Sequence, residues 1–550
     1  MRIGTMASAR PVRRRLAAFL AVPVAAAVLV SCTAKPSDTA GGNGGGGSAG
    51  GASGGSGSTA ADAPKTGGTL TIGSGEIKTL DPIKGSANAM ALSGVAIYDT
   101  LMIVPKLGDR AEPHLASSMT ESSDKLSWTM KLPTGLKFSD DTPFNADAVK
   151  FNIDRGMAAG STAAALLSSI KSVAAPDEST VVFTMKHPFS NLPYVFAYDG
   201  SGTAGYIASP TAVKKYGDDY TTHAAGMGPY MLQSWTPGQP EVLVRNPNYW
   251  NKDKAPAYLD KVVIKPMTDP KSMYQALQAG DIDLMGTTDP AMMKQAKNNG
   301  QVRLVQGVGQ DQDSIILNMA GGGIFSDLRL RQAVSKALDR DAIVALATEG
   351  LAKPAVSLFP EGDPFHSDNS DPVFNLDEAK SLVKAYESET GKKAAFTYTC
   401  NNARPATDVI VSQLKAAGFE VTLSATDSAA WVNAFFGKKY DAICWTMAGF
   451  LTPDLLPYRF FYSSGDLNTQ GFASPEFDKA ADTARAATDP ADQKTNWIAA
   501  DKALTDQLPW VWTTSAPLGF ILSKRVHGAD YDDPTRLRYY VPMFNNVWVS

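Results

Sequence analysis

Cys32 is the first residue of this chain whose position points to a definite chemistry. It ends the segment Leu29-Val30-Ser31-Cys32, which follows an apolar run and, before that run, several arginines. This order is typical of an export signal. Cleavage before Cys32 would place its thiol at the new N-terminus, where lipid can be attached. The pattern predicts a signal peptide over residues 1–31 and a lipid anchor at Cys32. The alternative is an ordinary cleaved signal in which Cys32 has no role.

The other two cysteines, Cys400 and Cys444, each end a segment that alternates like a β-strand. In an exported chain such thiols can pair. The two strands could be neighbours in one parallel sheet, but neighbouring strands rarely offer the side-chain geometry of a disulfide. A disulfide and a pair of buried free thiols therefore both stay open.

The remaining residue types give no catalytic or metal-binding pattern. The histidines are scattered, none of them stands in an H-E-x-x-H spacing, and the Gly-rich phosphate loop is missing. We expect no catalytic residue, no metal and no cofactor. The net charge of -4, without a long basic run beyond the signal, gives no indication of nucleic acid as a partner.

The chain must fold into more than one lobe, because its 550 residues exceed what one hydrophobic core can organise. Residues 32–66 are mostly Gly, Ser, Ala and Thr, a composition that predicts a flexible linker. Beyond the signal no apolar stretch is long enough to span a bilayer, so a role in transport would need other subunits for the pore.

The clearest local pattern lies between Ala395 and Trp445. Strand and helix periodicities alternate there as β-α-β-α-β, with a helix that ends at Gly418 and a last strand predicted over Tyr440–Trp445. Such a unit predicts a mostly parallel sheet covered by helices, with a ligand crevice beyond the carboxyl ends of its strands. Trp445 ends the last strand and is the aromatic residue that we expect to line a pocket.

Several segments occur in an order that resembles a known family. These segments are GEIKTLDP (Gly75 to Pro82), YDTL (Tyr98 to Leu101), LKFSDDTPFNADAVKFNIDR (Leu136 to Arg155), GMGPYML (Gly226 to Leu232), RNPNYW (Arg245 to Trp250), AGDIDLM (Ala279 to Met285) and FSDLRLRQAVSKALDRDAIV (Phe325 to Val344). Because these segments follow one another in this order, the chain resembles family 5 of the large extracellular solute-binding proteins of ABC importers. This family includes oligopeptide-, dipeptide- and nickel-binding proteins.

The resemblance implies an α/β fold: a two-lobed, periplasmic-binding-protein-like clamp with mixed sheets and two crossing hinge strands. It also implies that an extra β-rich subdomain enlarges the first lobe. The implied divisions are lobe I over residues 67–110, 224–312 and 518–550, the extra subdomain over 111–223, and lobe II over 313–517. A solute would bind between the lobes and close them.

The resemblance also implies ligand-binding residues. Glu76 stands where peptide-binding members place a cleft carboxylate, and Trp445 matches a tryptophan that lines the pocket, followed by Thr446 and Met447. Three residues after that tryptophan, peptide binders carry an aspartate that pairs with the α-amino group of the peptide. Ala448 stands at that position here. Asp454 could replace the missing carboxylate if the loop before it folds inward.

The function implied is a lipid-anchored receptor on the outer face of the cell membrane. It would be a monomer that captures a small solute, a peptide or a peptide-like compound, and delivers it to ABC permease subunits with a cytoplasmic ATPase. Ala448 keeps a non-peptide solute open as an alternative, namely an oligosaccharide, an opine-like compound or a metal chelate. A secreted hydrolase is a further alternative, for which no active-site pattern is found.

Overall fold

The computed structural model describes residues 63–85, 90–105, 109–197, 203–307, 311–361, 363–366, 373–401, 405–450, 452–515, 518–528 and 544–550. Residues 1–62, with the predicted signal peptide, Cys32 and most of the predicted linker, lie outside the described residues. The strands in the described part are β1 (Thr69–Ser74), β2 (Met102–Ile103), β3 (Glu112–Pro113), β4 (Ser118–Glu121), β5 (Ser127–Lys131), β6 (Ile170–Asp177), β7 (Thr180–Met185), β8 (Tyr230–Ser234), β9 (Glu241–Arg245), β10 (Lys261–Pro266), β11 (Leu284–Thr287), β12 (Val302–Gly307), β13 (Gln312–Leu317), β14 (Lys353–Pro354), β15 (Ala395–Asn401), β16 (Glu420–Thr426), β17 (Ala442–Met447), β18 (Trp510–Ser515), β19 (Leu518–Ser523), β20 (Val526–His527) and β21 (Trp548–Val549).

The helices in the same part of the chain are α1 (Ala91–Ile97), α2 (Ala146–Met157), α3 (Leu192–Val195), α4 (Pro210–Tyr216), α5 (Pro270–Ala279), α6 (Pro290–Lys297), α7 (Leu328–Ala337), α8 (Arg340–Ala347), α9 (Leu376–Thr390), α10 (Pro405–Ala416), α11 (Ser428–Phe436), α12 (Leu456–Phe461), α13 (Pro475–Ala486) and α14 (Pro490–Gln507). Many begin at an Asp, Asn or Ser whose side chain accepts a hydrogen bond from the first turn. None of the helices in the described ranges is long and apolar enough to cross a membrane.

Lobe I is built on a seven-stranded mixed sheet in the order β12-β19-β11-β1-β10-β9-β8. The central strand β1 pairs in parallel with β10 and with β11. Leu70 and Ile72 alternate along β1 and are fully buried, because every second side chain of a strand points to the same face of the sheet. The sheet therefore draws strands from three distant parts of the sequence.

Lobe II is built on a six-stranded sheet in the order β14-β18-β13-β17-β15-β16. Its strands β15, β16 and β17 are parallel neighbours, joined by the helices α10 and α11. This confirms the predicted β-α-β-α-β unit, and Gly418 follows α10 with a φ of +101°. The last strand runs from Ala442 to Met447 and not from Tyr440 to Trp445, so Trp445 lies two residues before its end. Tyr440 precedes the strand and packs on Phe435.

The two lobes are joined by two adjacent chain crossings. The chain leaves lobe I after β12 and enters lobe II at β13, and it returns from β18 to β19. On the lobe I side, β12 pairs with β19, and on the lobe II side Gln312 lies opposite Ser515. The described ends of the two crossings therefore lie side by side in both lobes, as the predicted pair of hinge strands requires. The two-lobed α/β clamp is confirmed.

The extra subdomain is built on the four-stranded antiparallel sheet β4-β5-β7-β6. Trp128, Met130, Val181 and Phe183 alternate along β5 and β7 and form its apolar core together with residues of α2. The residue limits of the lobes and the subdomain given above stay a prediction. The strands of the seven-, six- and four-stranded sheets fall within the corresponding segments to within one residue, whereas the small sheet β2-β3 spans the limit between residues 110 and 111.

Candidate functional site

The end of β17 forms the surface that the sequence predicts as the ligand wall, here called the β17 wall and consisting of Trp445, Thr446, Met447 and Ala448. Met447 is buried, whereas the other three side chains are half-buried. Trp445 and Thr446 line the same cavity, so an aromatic ring and a hydroxyl group meet next to the start of β13.

An aromatic stack holds Trp445 in place. Its ring centroid lies 4.6 Å from that of Trp431 and 4.2 Å from that of Phe435, and both pairs are stacked. Trp431 Nε1 donates a hydrogen bond of 3.1 Å to the carbonyl oxygen of Cys444. Because both partners lie on α11, this helix fixes the orientation of the tryptophan. Offset stacking of this kind stabilises a pair of rings by about 0.5–1.5 kcal/mol beyond the area that it buries.

Residues 311–313, where the chain enters lobe II, are here called the crossing segment. Two of its carboxylates contact the β17 wall. Thr446 Oγ1 donates to Asp313 Oδ1 at 2.6 Å, and the Gly449 N–H donates to Asp311 Oδ1 at 2.8 Å. Gln312 pairs with Met447 in the antiparallel register of β13 and β17, so Asp311 comes directly opposite Ala448. The position that lacks a carboxylate in the sequence therefore has one beside it in the structure. Sequence reasoning missed both aspartates, because the register between distant strands is not visible in the sequence.

A cavity of about 180 Å³ lies in lobe II beside the β17 wall. Its lining combines one carboxylate, several hydroxyl groups and two indole rings. The lining residues are Asp313, Ser314, Tyr398, Asn401, Ala406, Thr407, Ile410, Trp431, Cys444, Trp445, Thr446 and Thr513. A cavity of this composition can surround a compact polar group and donate and accept hydrogen bonds.

Asp454 lies elsewhere, where lobe II meets the extra subdomain. Its side chain is fully buried and accepts hydrogen bonds from Thr452 Oγ1 at 2.8 Å and from Asn191 Nδ2. Arg485 Nε lies 3.5 Å from Asp454 Oδ1. Burial raises the pKa of the Asp454 carboxyl, and the Arg485 guanidinium acts in the opposite direction. These four residues are called the Asp454 cluster below.

Cavities lie on both sides of the Asp454 cluster. One of about 330 Å³ is lined by Asp454 and Arg485 together with His187 and Tyr458. A second, of about 640 Å³, lies between the subdomain and lobe II and has the volume of a small-molecule pocket. It is lined by Asp109, Arg110, Ala111, Met119, Glu121, Trp128, Ser190, Asn191, Pro193, Tyr194, Pro364, Phe365, Thr452, Thr488, Pro490, Gln493 and Lys494. Asp454 therefore lines a different cavity from the one beside Trp445.

Glu76 and the two cysteines complete the set of predicted site residues. Glu76 lies exposed just beyond the end of β1 and is not among the residues that line the cavity beside Trp445. Cys400 and Cys444 lie side by side on the parallel strands β15 and β17, with their Cα atoms 5.2 Å apart, a separation that a disulfide can span. Across the described residues, no group of three or more His, Cys, Asp or Glu side chains could hold a metal ion.

Two lobes joined by paired crossing strands, with an aromatic and polar wall at the crossing, define a binding protein of the clamp class. The model of the bacterial extracellular solute-binding proteins, family 5, matches residues 110–468, and the chain belongs to this family. The recognised family is thereby confirmed. Members of this class bind solutes for ABC transporters and do not catalyse reactions, so the chain is an extracellular binding protein and not an enzyme.

Among curated relatives, the chain is similar to the probable D,D-dipeptide-binding periplasmic protein DdpA of Escherichia coli K12. The two are 28% identical over 473 residues, which cover 82% of this chain and 89% of the relative. The glutathione-binding protein GsiB of Shigella flexneri is 25% identical over 457 residues, which cover 79% and 86%.

Solved structures have the same fold. The oligopeptide-binding protein AppA of Bacillus subtilis, in complex with a nonapeptide, matches with a TM-score of 0.73 at 22% identity and covers 89% of this chain and 100% of its own. The binding protein AgaA of A. tumefaciens R10, in complex with agropinic acid, matches with a TM-score of 0.74 at 23% identity and covers 88% and 99%.

Proposed function

We propose that this protein is a lipid-anchored receptor that captures a peptide or peptide-like solute between its lobes and delivers it to an ABC importer. The observation that carries the proposal is the β17 wall, where a stacked tryptophan lies beside two carboxylates of the crossing segment. A peptide offers complementary groups, namely an ammonium, backbone hydrogen-bonding groups and apolar side chains. Relatives named for D,D-dipeptides and for glutathione, and a fold neighbour with a bound nonapeptide, support this class of solute.

Asp311 is our candidate for the carboxylate that receives the amino group of the solute. It lies opposite Ala448 and beside the Gly449 N–H, so its carboxylate occupies the region that a side chain at position 448 would reach. A hydrogen bond to a charged group is worth about 1.5–3 kcal/mol. Loss of this charge would weaken binding roughly tenfold or more. Asp454 is a weaker candidate, because its side chain is fully buried and lines a different cavity from the one beside Trp445.

A non-peptide solute is the alternative. The missing carboxylate at Ala448 favours it, and a fold neighbour holds agropinic acid. An opine-like compound, an oligosaccharide or a metal chelate could use the same cavity, because the hydroxyl groups of Ser314, Thr446 and Thr513 do not require a cationic ligand.

The location and the partners of the receptor are proposed from the sequence. The export signal and Cys32 support attachment of the mature chain to the outer face of the membrane, and residues 32–66 would give the clamp room to reach the permease. We expect the receptor to act as a monomer, with ABC permease subunits and a cytoplasmic ATPase as its partners.

The test is a binding panel with matched variants. Thermal shift and calorimetry would compare free-amine di- and tripeptides, their N-acetylated forms, glutathione, an opine and an oligosaccharide. We expect free-amine peptides to bind the wild type, and Asp311→Asn to lower their affinity at least tenfold. N-acetylated peptides should bind the wild type and Asp311→Asn with the same affinity. Asp253→Asn, at an exposed position, is the control. Binding of the opine or oligosaccharide alone would replace the peptide proposal with the alternative.

A further inference from the structure

The Asp454 cluster connects two parts of the clamp that are far apart in sequence. Asn191 belongs to the subdomain and precedes α3, whereas Thr452, Asp454 and Arg485 belong to lobe II. Among the described elements, the chain passes between the lobes from β12 to β13 and from β18 to β19. Any opening of the clamp at these strands that carries lobe II away from the subdomain must therefore break the contacts of Asn191 with Thr452 and Asp454.

Arg485 occupies an enclosed position at this interface. Its guanidinium carbon lies 3.7 Å from the ring centroid of Tyr458, which belongs to lobe II, and 4.8 Å from that of Phe189, which belongs to the subdomain. The arginine side chain is 11% exposed. A cation held between two rings and excluded from water interacts favourably with both of them.

Further hydrogen bonds join the same two surfaces. The Ser190 N–H donates to the carbonyl oxygen of Arg485 at 3.2 Å, and Lys125 Nζ donates to that of Ala486 at 2.9 Å. Gln493 Nε2 donates to Asn191 Oδ1 at 3.2 Å, so both ends of the Asn191 amide are bound by lobe II. Leu455, from lobe II, packs in the apolar core of the subdomain. The interface thus combines buried polar, ionic and apolar contacts.

We propose that the Asp454 cluster is a closure latch, which holds lobe II against the subdomain without any contribution from the solute. The latch rests on the proposed clamp function, in which the lobes open and close, but it does not depend on which solute binds. The clamp then populates the closed conformation before a solute binds, and the strength of the latch sets part of the apparent affinity. This assigns Asp454 a conformational role in place of the ligand contact considered from the sequence.

Asn191→Ala tests the latch with little risk to folding. Asp454 and Arg485 both lie in lobe II, so the variant removes the hydrogen bonds of the Asn191 side chain to lobe II and leaves the ion pair intact. Asn298→Ala, at an exposed position of lobe I, is the control. Single-molecule energy transfer between dyes on cysteines introduced at Lys254 and Lys392 would measure the closed fraction of the protein without added solute.

We expect the closed-to-open ratio to fall at least about fivefold in Asn191→Ala and to stay unchanged in the control. A second variant pair, Asn191→Cys with Thr452→Cys, places one thiol on each side of the interface, where a short thiol-reactive cross-linker can join them. The cross-linked protein should give only the closed signal. An unchanged ratio in Asn191→Ala, or a wild-type protein that is open whenever solute is absent, would overturn the proposal. If no peptide of the binding panel binds but the closed-to-open ratio still falls in Asn191→Ala, the peptide proposal fails and the latch stands.

Discussion

Glu241 allows a quantitative test of the packing of lobe I. It is the first residue of β9, lies opposite Ile264 of β10, and is 1% exposed. Ser93 Oγ donates to Glu241 Oε2 at 2.6 Å, and no other hydrogen bond to this carboxyl is found among the described residues. Burial raises its pKa from the ordinary 4.5 to about 7, and the Ser93 hydrogen bond only partly opposes this effect.

The direction of the pH dependence follows from this pKa. In the folded protein the carboxyl keeps its proton up to about pH 7, whereas in the unfolded chain it loses the proton near pH 4.5. The folded state therefore binds more protons between these values, and the free energy of unfolding falls as the pH rises through them. Each unit of difference between the folded and unfolded pKa values corresponds to about 1.4 kcal/mol. The free energy of unfolding therefore falls by roughly 3 kcal/mol in total.

The perturbation is Glu241→Gln, which keeps the shape of the side chain and an acceptor for Ser93 but cannot ionise. Urea unfolding would be followed by tryptophan fluorescence at pH 5, 6, 7 and 8 for the wild type, this variant and Glu178→Gln, an exposed control. The stability of Glu241→Gln relative to the wild type should rise by about 2–3 kcal/mol between pH 5 and 8. Other titrating groups cancel in this difference. A difference that stays constant across this range would refute the buried, protonated carboxyl.

Three further predictions concern the site and the cysteines. Trp445→Ala should weaken solute binding by calorimetry at least tenfold while Trp445→Phe retains most of it, because a ring at this position is the apolar part of the β17 wall; equal affinities in both variants would contradict this role. Unfolded protein carrying Cys32→Ala should give no thiol reaction until a reductant is added, and reduction should then lower stability by about 2–4 kcal/mol; free thiols before reduction would show that Cys400 and Cys444 are not bonded. Cys32→Ala should move the exported protein from the membrane fraction to the medium with its solute affinity unchanged, and retention in the membrane would exclude Cys32 as the anchor.

The β-α-β-α-β unit of lobe II could be predicted from the sequence because its signals are local. Side chains alternate every second residue along β15 and β16, and the apolar residues of α10 recur with the period of a helix. Gly418 marks the end of α10 because it adopts a positive φ that other residues avoid. The assignment of residues to the two lobes came from the segments that resemble family 5, because the periodicity of apolar residues does not show how distant segments assemble.

The surroundings of the site could not be predicted because they depend on contacts between distant residues. Asn191 and Asp454 are 263 positions apart, and the bond between them exists only when the subdomain meets lobe II. The position of Asp311 opposite Ala448 depends on the register of two strands 138 residues apart. From the sequence, Asp454 is simply the next carboxylate after Ala448, whereas the fold places the nearer carboxylate on the crossing segment.

The closure latch and the substitution at Ala448 can be understood together. A solute that binds only the closed clamp has an apparent dissociation constant equal to its intrinsic value divided by the closed fraction. A latch that raises the closed fraction from about 1% to about 50% would strengthen binding roughly fiftyfold. A lost contact to a charged group, worth about 1.5–3 kcal/mol, weakens binding by a comparable factor. The interface around Arg485 could therefore offset the ligand contact that Ala448 cannot make, and the affinity of this receptor would be set as much by the subdomain interface as by the β17 wall.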